Sequence, residues 1–109
     1  MTIKQMTGKM KRINRRIQVI KQALSTIGDM RPGSLTCQYK IPAKKKGAYY
    51  QISYTYKMKS RTEYVRSDSV QSTRAQIAEY KKYKKLTEQW VDLAIEYAKL
   101  KLAVEKLSS

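Results

Sequence analysis

The chain has no histidine, no phenylalanine and one cysteine among its 109 residues. Without histidine there is no imidazole that could act as a general base. A lone cysteine excludes a disulfide within the chain and any zinc site built from cysteine and histidine. We therefore predict no catalytic residue, no metal site, no cofactor and no enzymatic activity. Cys37 is expected to be a small buried hydrophobe.

Acidic residues are scarce as well. The chain has 8 Asp and Glu but 24 Lys and Arg, which gives a formal net charge of +16. So large an excess destabilises a folded protein by self-repulsion and is typical of proteins that bind a polyanion. Residues 1–46 hold 12 of the basic residues and 1 acidic residue. The composition therefore predicts a nucleic-acid partner, and the strongest positive field is expected in the N-terminal part of the chain.

Long apolar runs are missing too. No stretch of about 18 apolar residues occurs that could cross a bilayer. The N-terminal residues also lack the continuous apolar core of a signal peptide. We therefore expect no membrane partner and a cytoplasmic location.

The sequence contains two long apolar repeats, in which the spacing between apolar residues alternates between three and four. This is the heptad spacing of helices that pack in a coiled coil, whereas a strand alternates every second residue. Each repeat predicts one helix, over 2–27 and over 68–107. The repeats are Ile3, Met6, Met10, Ile13, Ile17, Ile20, Leu24 and Ile27, and Tyr83, Leu86, Trp90, Leu93, Tyr97, Leu100, Val104 and Leu107.

Between the two repeats the pattern changes to that of strands. Apolar and polar residues alternate over 35–41, while aromatic and β-branched residues are frequent in 49–57 and 60–66. We predict a single domain of the α+β class. It is a long antiparallel helical hairpin, a coiled-coil stalk, with a three-stranded antiparallel β-sheet (34–66) inserted between the helices.

The C-terminal helix carries a second apolar strip beside its heptad seam. A pair of helices leaves this strip in water, whereas a homodimer that forms a four-helix bundle covers it. A homodimer is therefore one expected partner arrangement. It would form through Val91, Ile95, Ala98 and Leu102.

The two later strands predict a hairpin with the turn Met58–Lys59. This register places apolar and aromatic residues on one face, which we assign to the core. A register slip of one residue would exchange the two faces. The other face is polar, free of acids and a candidate nucleic-acid surface, with Tyr64 as its best base-stacking residue. It displays Gln51, Ser53, Thr55, Lys57, Ser60, Thr62, Tyr64 and Arg66, of which all but Ser60 are candidate contacts.

Basic residues outside the sheet complete the predicted interface. An arginine can donate two parallel hydrogen bonds to a phosphate or to a guanine edge. Phosphate contacts supply affinity, and the polar face laid in the major groove of duplex DNA would supply base contacts. The predicted phosphate-binding residues are Arg12, Arg15, Arg16, Lys44, Lys45, Lys46, Lys81, Lys82 and Lys85, together with Arg66 at the edge of the polar face.

Other functions stay open at this point. The tyrosines form the core of a chain without phenylalanine, or they stack on unpaired bases of RNA or single-stranded DNA. A function of a different class is a protein-interaction adaptor or inhibitor that docks on an acidic partner through the helical hairpin. Duplex DNA is the preferred prediction among these.

Three segments also resemble a family of small basic bacterial and archaeal proteins that is catalogued as a domain of unknown function and is often found near transposase genes. The segments are MRPGSL at 30–35, GAYYQISYTYKMKSRTEYVR at 47–66 and AEYKKYKKLTEQWVDLAIEYAKLKL at 78–102. The resemblance implies a fold of two helices flanking a small sheet. It also implies a prokaryotic, mobile-element setting, with nucleoid association if the protein binds DNA, but it implies no activity.

The chain departs from that family in two turns. Many members have a cysteine cluster between the first and second strands, whereas residues 41–48 here are IPAKKKGA. The usual glycine of the later hairpin is replaced by Met58. If the cysteines of the relatives hold zinc, a lysine loop stands in the place of the metal here.

Overall fold

The computed structural model describes residues 1–108. The elements are α1 (Ile3–Leu24), β1 (Ser34–Ile41), β2 (Lys46–Tyr56), β3 (Lys59–Val65) and α2 (Val70–Ser108), with short 3-10 turns at Pro42–Lys44 and Ser67–Ser69. Two helices with a three-stranded antiparallel sheet between them confirm the predicted α+β class.

The described chain forms two compact units. The sheet unit is Gly28–Lys82, and the helical unit is Met1–Ile27 together with α2 from Tyr83 onward. Each unit has a hydrophobic cluster of its own. Neither described helix has a stretch that is apolar enough to span a membrane.

The helices of the helical unit pack antiparallel along the predicted heptad seam. The Lys21 ammonium lies 5.2 Å from the centroid of the Trp90 ring, and Lys9 Nζ lies 3.0 Å from Glu96 Oε1. Residue numbers therefore fall along α1 as they rise along α2. The seam is formed by the buried residues Ile13, Ile17, Ile20 and Leu93, with Leu24, Leu86, Trp90, Tyr97 and Leu100 packed against them.

Helix α1 begins with a capping box and ends earlier than the sequence predicts. Thr2 Oγ1 accepts a hydrogen bond from the Gln5 amide, while the Gln5 side chain accepts one from the Thr2 amide. At the other end the hydroxyls of Ser25 and Thr26 donate to the carbonyls of Gln22 and Ala23. The Thr26 and Ile27 amides donate three residues back, to the carbonyls of Ala23 and Leu24. The four-residue bonding of an α-helix therefore stops here, and α1 ends at Leu24 rather than at residue 27.

Gly28 does not cap α1, contrary to a natural expectation for a glycine after a helix. Its amide donates to Glu79 Oε2 of α2 at 3.2 Å. Farther along, the Arg31 amide donates to the Gln76 carbonyl at 3.2 Å. Within the sheet unit, the segment before β1 is thus attached to the first turns of α2.

The sheet has the strand order β1-β2-β3 with antiparallel pairing throughout. Tyr56 is opposite Lys59, so the hairpin turn is Lys57–Met58 and the predicted turn Met58–Lys59 is wrong by one residue. Both turn residues have positive φ, 51° for Lys57 and 65° for Met58. Moving the turn by one residue shifts every cross-strand pair by two positions. The predicted division of the hairpin into two faces therefore holds.

One face of the sheet, here called the inner face, carries the core of the sheet unit. Ile52, Val65 and Ile77 of α2 are buried together, and Leu35, Tyr50 and Val70 pack against them. Cys37 lies on the inner face, opposite Tyr50, yet it is exposed. The expectation of a buried Cys37 is wrong because the cluster contains Leu35 of β1 and does not extend to Cys37.

Candidate nucleic-acid interface

The opposite face of the sheet, here called the polar face, carries no acidic side chain. Side chains alternate between the two faces of a strand, so the cross-strand register assigns each residue to one face. The structure brings the predicted Gln51, Ser53, Thr55, Thr62 and Tyr64 together there. The full set is Ser34, Thr36, Gln38 and Lys40 of β1, Tyr49, Gln51, Ser53 and Thr55 of β2, and Ser60, Thr62 and Tyr64 of β3.

Hydroxyl groups of the polar face are paired across β2 and β3. Ser53 Oγ lies 3.1 Å from Thr62 Oγ1, and Thr55 Oγ1 lies 2.9 Å from Ser60 Oγ. All four residues are exposed. A hydroxyl has one donor and two acceptor positions. Each pair therefore keeps free hydrogen-bonding capacity toward a ligand while its own rotamers are held by the pairing.

The face is acid-free because the one acidic residue of the three strands, Glu63, points to the inner face. Tyr54 Oη donates to Glu63 Oε1 at 2.9 Å, and Arg31 donates to Glu63 Oε2 at 3.3 Å. The hydrogen bonds from Tyr54 and Arg31 lower the pKa of Glu63, and the bond to Glu63 raises the pKa of Tyr54. The negative charge is thus neutralised away from the polar face.

A groove on the polar face is lined by two tyrosines and a lysine. It has a volume of about 450 Å³ and is lined by Lys40, Gly47, Ala48, Tyr49 and Tyr64. Gly47 has a φ of 70°, and a Cβ there would lie 2.9 Å from Lys40 Cβ, so the stem of Lys40 covers this glycine closely. Tyr64 is 68% exposed. A ring with a free face beside a cation suits a stacked base and its phosphate.

Two predicted members of the polar face lie outside the strands. Lys57 is in the hairpin turn, and its ammonium lies 5.3 Å from the ring centroid of Tyr56, an inner-face residue. Arg66 follows directly after β3, which ends at Val65, and its guanidinium lies 3.2 Å from Asp68 Oδ2. The turn therefore separates Lys57 from the polar face, whereas Arg66 lies at the end of the sheet and is paired with an acid.

The predicted arginines of α1 form a basic surface without acidic neighbours on their own helix. Arg12, Arg15 and Arg16 are exposed, and α1 contains no acidic residue. Two other cations of α1 are engaged with α2: Lys9 with Glu96, and Lys21 with the Trp90 ring. These three arginines, like the exposed Lys4 and Lys11 of the same helix, are therefore open to a polyanion, and Arg16 lines a groove of the helical unit that also contains Asp92 and Glu96.

The predicted lysines are exposed in three places. The loop between β1 and β2 is a 3-10 turn followed by Lys45 in the left-handed conformation (φ 50°), and Lys46 then begins β2. This arrangement turns the chain from β1 into β2 with three consecutive lysines. The lysines are Lys44, Lys45 and Lys46 of the loop, Lys81 and Lys82 of the sheet unit, and Lys85 of the helical unit.

Several polar-face residues were not among the predicted site residues. They are Ser34, Thr36, Gln38, Lys40, Tyr49 and Ser60. The alternation of β1 already separates Thr36, Gln38 and Lys40 from the apolar positions. Their pairing with β2, which brings Lys40 and Tyr49 to one groove, depends on the register across the lysine loop.

The fold and its polar face define a small α+β protein with a strongly basic composition. Residues 10–75, more than half of the chain, match the model of a domain of unknown function, DUF6788. The chain belongs to that family, in agreement with the resemblance to a family without an assigned activity. A comparison with curated proteins and one with solved structures each found no match. Among residues 1–108, no group of three His, Cys, Asp or Glu side chains could hold a metal ion.

Proposed function

We propose that this protein is a non-enzymatic nucleic-acid-binding protein whose main ligand is duplex DNA. The observation that carries the proposal is the polar face, where hydroxyl, amide, phenol and ammonium groups lie together without an acidic side chain. The net charge of +16 supports a polyanionic ligand.

The dimensions of the sheet favour the major groove as the place of contact. Neighbouring strands lie about 4.8 Å apart, so the backbones of β1 and β3 are separated by roughly 10 Å. The major groove is about 12 Å wide and admits a two-stranded ribbon. The β2–β3 hairpin therefore enters more easily than all three strands. Gln51 suits the edge of an adenine, and Ser53 and Thr62 suit any base edge.

The basic residues outside the polar face would supply affinity without sequence information. Arginine and lysine contacts to phosphates release counterions, so affinity falls steeply with salt. Arg12, Arg15 and Arg16 are exposed for this role. Lysines of the loop and of α2 would add to it.

Fluorescence anisotropy with labelled duplex DNA, single-stranded DNA and hairpin RNA, each at several salt concentrations, tests the proposal. We expect duplex DNA to bind most tightly, with the logarithm of affinity falling linearly against the logarithm of salt. Absence of binding to all three near physiological salt would overturn the proposal. The positive charge would then serve docking on an acidic protein partner.

The role of the polar face is tested by Gln51→Ala combined with Thr62→Ala. We expect this variant to lose discrimination between duplex sequences, by about 1–3 kcal/mol for each good base contact, while its salt dependence stays that of the wild type. Cys37→Ser is the matched control, because Cys37 is an uncharged, exposed residue of the inner face. If the wild type, the double variant and Cys37→Ser all discriminate equally between duplex sequences, the polar face is not part of the interface.

The tyrosine groove supports a second candidate function, binding of single-stranded DNA or RNA. Tyr64 could stack on a base while Lys40 meets its phosphate. Tyr64→Ala should then weaken single-strand binding and spare duplex binding, whereas Tyr64→Phe keeps the ring and should bind as the wild type does. If Tyr64→Ala leaves single-strand affinity unchanged, this second function is wrong.

A setting near mobile genetic elements and an association with a prokaryotic nucleoid belong to the same proposal. They rest on the resemblance of the chain to proteins found near transposase genes. They also agree with a ligand that is duplex DNA. Recovery of the protein with chromosomal DNA after crosslinking in its native cells would test the nucleoid association.

A further inference from the structure

An exposed apolar strip on α2 has no covering element among the described residues. Val91 is 56% exposed, Ile95 50% and Leu102 65%, and Ala98 is exposed as well. Successive residues of a helix are turned by about 100°, so this strip lies on the side of α2 away from Leu93, which is buried in the seam with α1. Its spacing of four, three and four residues is that of a coiled-coil seam.

The strip lies in the least basic part of the chain. From Tyr83 onward α2 carries four of the eight acidic residues and five lysines, so this stretch is nearly neutral in a chain of net charge +16. Two copies that meet here avoid most of the repulsion between their basic surfaces. The acidic residues are Glu88, Asp92, Glu96 and Glu105.

We propose that two copies of this chain associate through the strip, with their α2 helices antiparallel. A two-fold axis between residues 96 and 97 places Val91 opposite Leu102 of the second copy and Ile95 opposite its Ala98. All four layers are then apolar on both sides. The proposal concerns self-association and does not rest on nucleic-acid binding.

Charges beside the strip favour the antiparallel direction. Asp92 and Lys99 lie seven residues apart and flank the strip on the same side of α2. In an antiparallel pair related by a two-fold axis, the sides of the two α2 helices that carry Asp92 and Lys99 face each other. Asp92 of each copy therefore faces Lys99 of the other copy, which gives two such contacts in the dimer. A parallel pair brings opposite sides together and places Asp92 near Thr87 of the second copy. Neither Asp92 nor Lys99 forms an ion pair within residues 1–108.

Sedimentation equilibrium over a concentration series tests the association in the full chain. We expect a monomer–dimer equilibrium for the wild type, and a dissociation constant at least tenfold higher for Ile95→Gln. The control is Val19→Gln, because Val19 is an exposed aliphatic residue of the helical unit outside the strip (69% exposed). A wild type that stays monomeric, or a control as weak as Ile95→Gln, would overturn the proposal.

Charge reversal at two positions tests the direction of pairing. Asp92→Lys and Lys99→Asp each replace two attractions by two repulsions and should weaken the dimer about three- to tenfold. The double variant restores both pairs and should return to wild-type affinity. If net charge alone governed association, Asp92→Lys would weaken the dimer because it adds positive charge. Lys99→Asp would strengthen it because it removes positive charge. If the changes in dissociation constant of the two single variants simply add in the double variant, the antiparallel arrangement is wrong. Far-ultraviolet circular dichroism checks that each variant keeps its helices.

Discussion

Gly33 lies directly against Ile52, the fully buried residue of the sheet unit. A Cβ built on Gly33 would lie 2.7 Å from Ile52 Cγ1 and 3.2 Å from the Ser53 carbonyl oxygen, and the φ of Gly33 is 144°. An alanine here would therefore meet both a clash with the core and a strained backbone. We expect Gly33→Ala to lower the free energy of unfolding by about 1–3 kcal/mol in urea denaturation.

Gly28→Ala is the control for that prediction. No atom lies within 4 Å of a Cβ at Gly28, and its φ is not in the left-handed region. We expect its stability to lie within about 1 kcal/mol of the wild type, because a smaller unfolded-state entropy is the main effect. Equal losses at the two glycines would show that Gly33 has no special contact with Ile52.

Met58→Gly should stabilise the protein. Lys57 and Met58 both adopt positive φ in the hairpin turn, and the left-handed conformation costs a residue with a Cβ about 1 kcal/mol. Glycine removes this strain, although it adds entropy to the unfolded chain. We expect a net gain of up to about 1 kcal/mol in the free energy of unfolding.

The same change at Met30 is the comparison for Met58→Gly. Met30 is not in the left-handed region, so Met30→Gly should only add unfolded-state entropy and destabilise the protein. Thermal and urea unfolding measure both effects. A loss of stability at Met58 as large as at Met30 would mean that the turn is not strained.

Glu63→Gln should change how stability depends on pH. The bonds from Tyr54 and Arg31 lower the pKa of Glu63 below its ordinary value of 4.5. A carboxylate with a lowered folded-state pKa stabilises the protein above its unfolded pKa, and this contribution is lost as the pH falls through the folded pKa. The variant should unfold at a lower temperature than the wild type at neutral pH, and the difference should close below pH 4.5.

Asp29→Asn tests whether that effect is specific to Glu63. Asp29 is an exposed acid of the sheet unit without an ion pair among the described residues. Because Asp29 has no such partner, Asp29→Asn should lower the unfolding temperature at neutral pH less than Glu63→Gln does. If both variants give the same pH profile, the contacts of Glu63 with Tyr54 and Arg31 do not stabilise the fold.

Arg15→Ala combined with Arg16→Ala should weaken nucleic-acid binding for every sequence. If both arginines contact phosphates, the slope of log affinity against log salt falls by about 1.8. Lys101→Ala with Lys106→Ala removes the same charge from α2 of the helical unit and should change the slope less. Unchanged affinity of the arginine variant in anisotropy titrations at moderate salt would remove these residues from the interface.

Heptad spacing predicted the helical unit well because it is local information. The positions of Ile13, Ile17, Ile20 and Leu93 follow from the three–four rhythm alone, and they form the buried seam. The end of α1 was predicted less well. Its position depends on where the backbone amides change from four-residue to three-residue bonding, which happens at Thr26 and Ile27 and which apolar periodicity does not report.

Alternation along the strands predicted the polar face. The contacts of the charged side chains Arg66 and Lys57 could not be predicted in this way, because they depend on the tertiary structure. The partnership of Arg66 with Asp68 and the placement of Lys57 in the turn depend on where the hairpin ends. The exposure of Cys37 depends on how far the cluster with Ile77 extends over the inner face. The positions of Arg66, Lys57 and Cys37 therefore depend on neighbouring residues in the folded chain, which strand alternation does not specify.

Strand β2 is paired on both sides, whereas β1 and β3 are each paired on one. Amide hydrogen exchange should therefore be slowest in β2 and faster on the strands beside it, because opening β2 breaks both ladders and exposes Ile52. Gln51 and Ser53 project from this slow-exchanging strand. The groups proposed to meet base edges thus sit on the least mobile backbone of the sheet, where little ordering entropy is lost when a ligand binds.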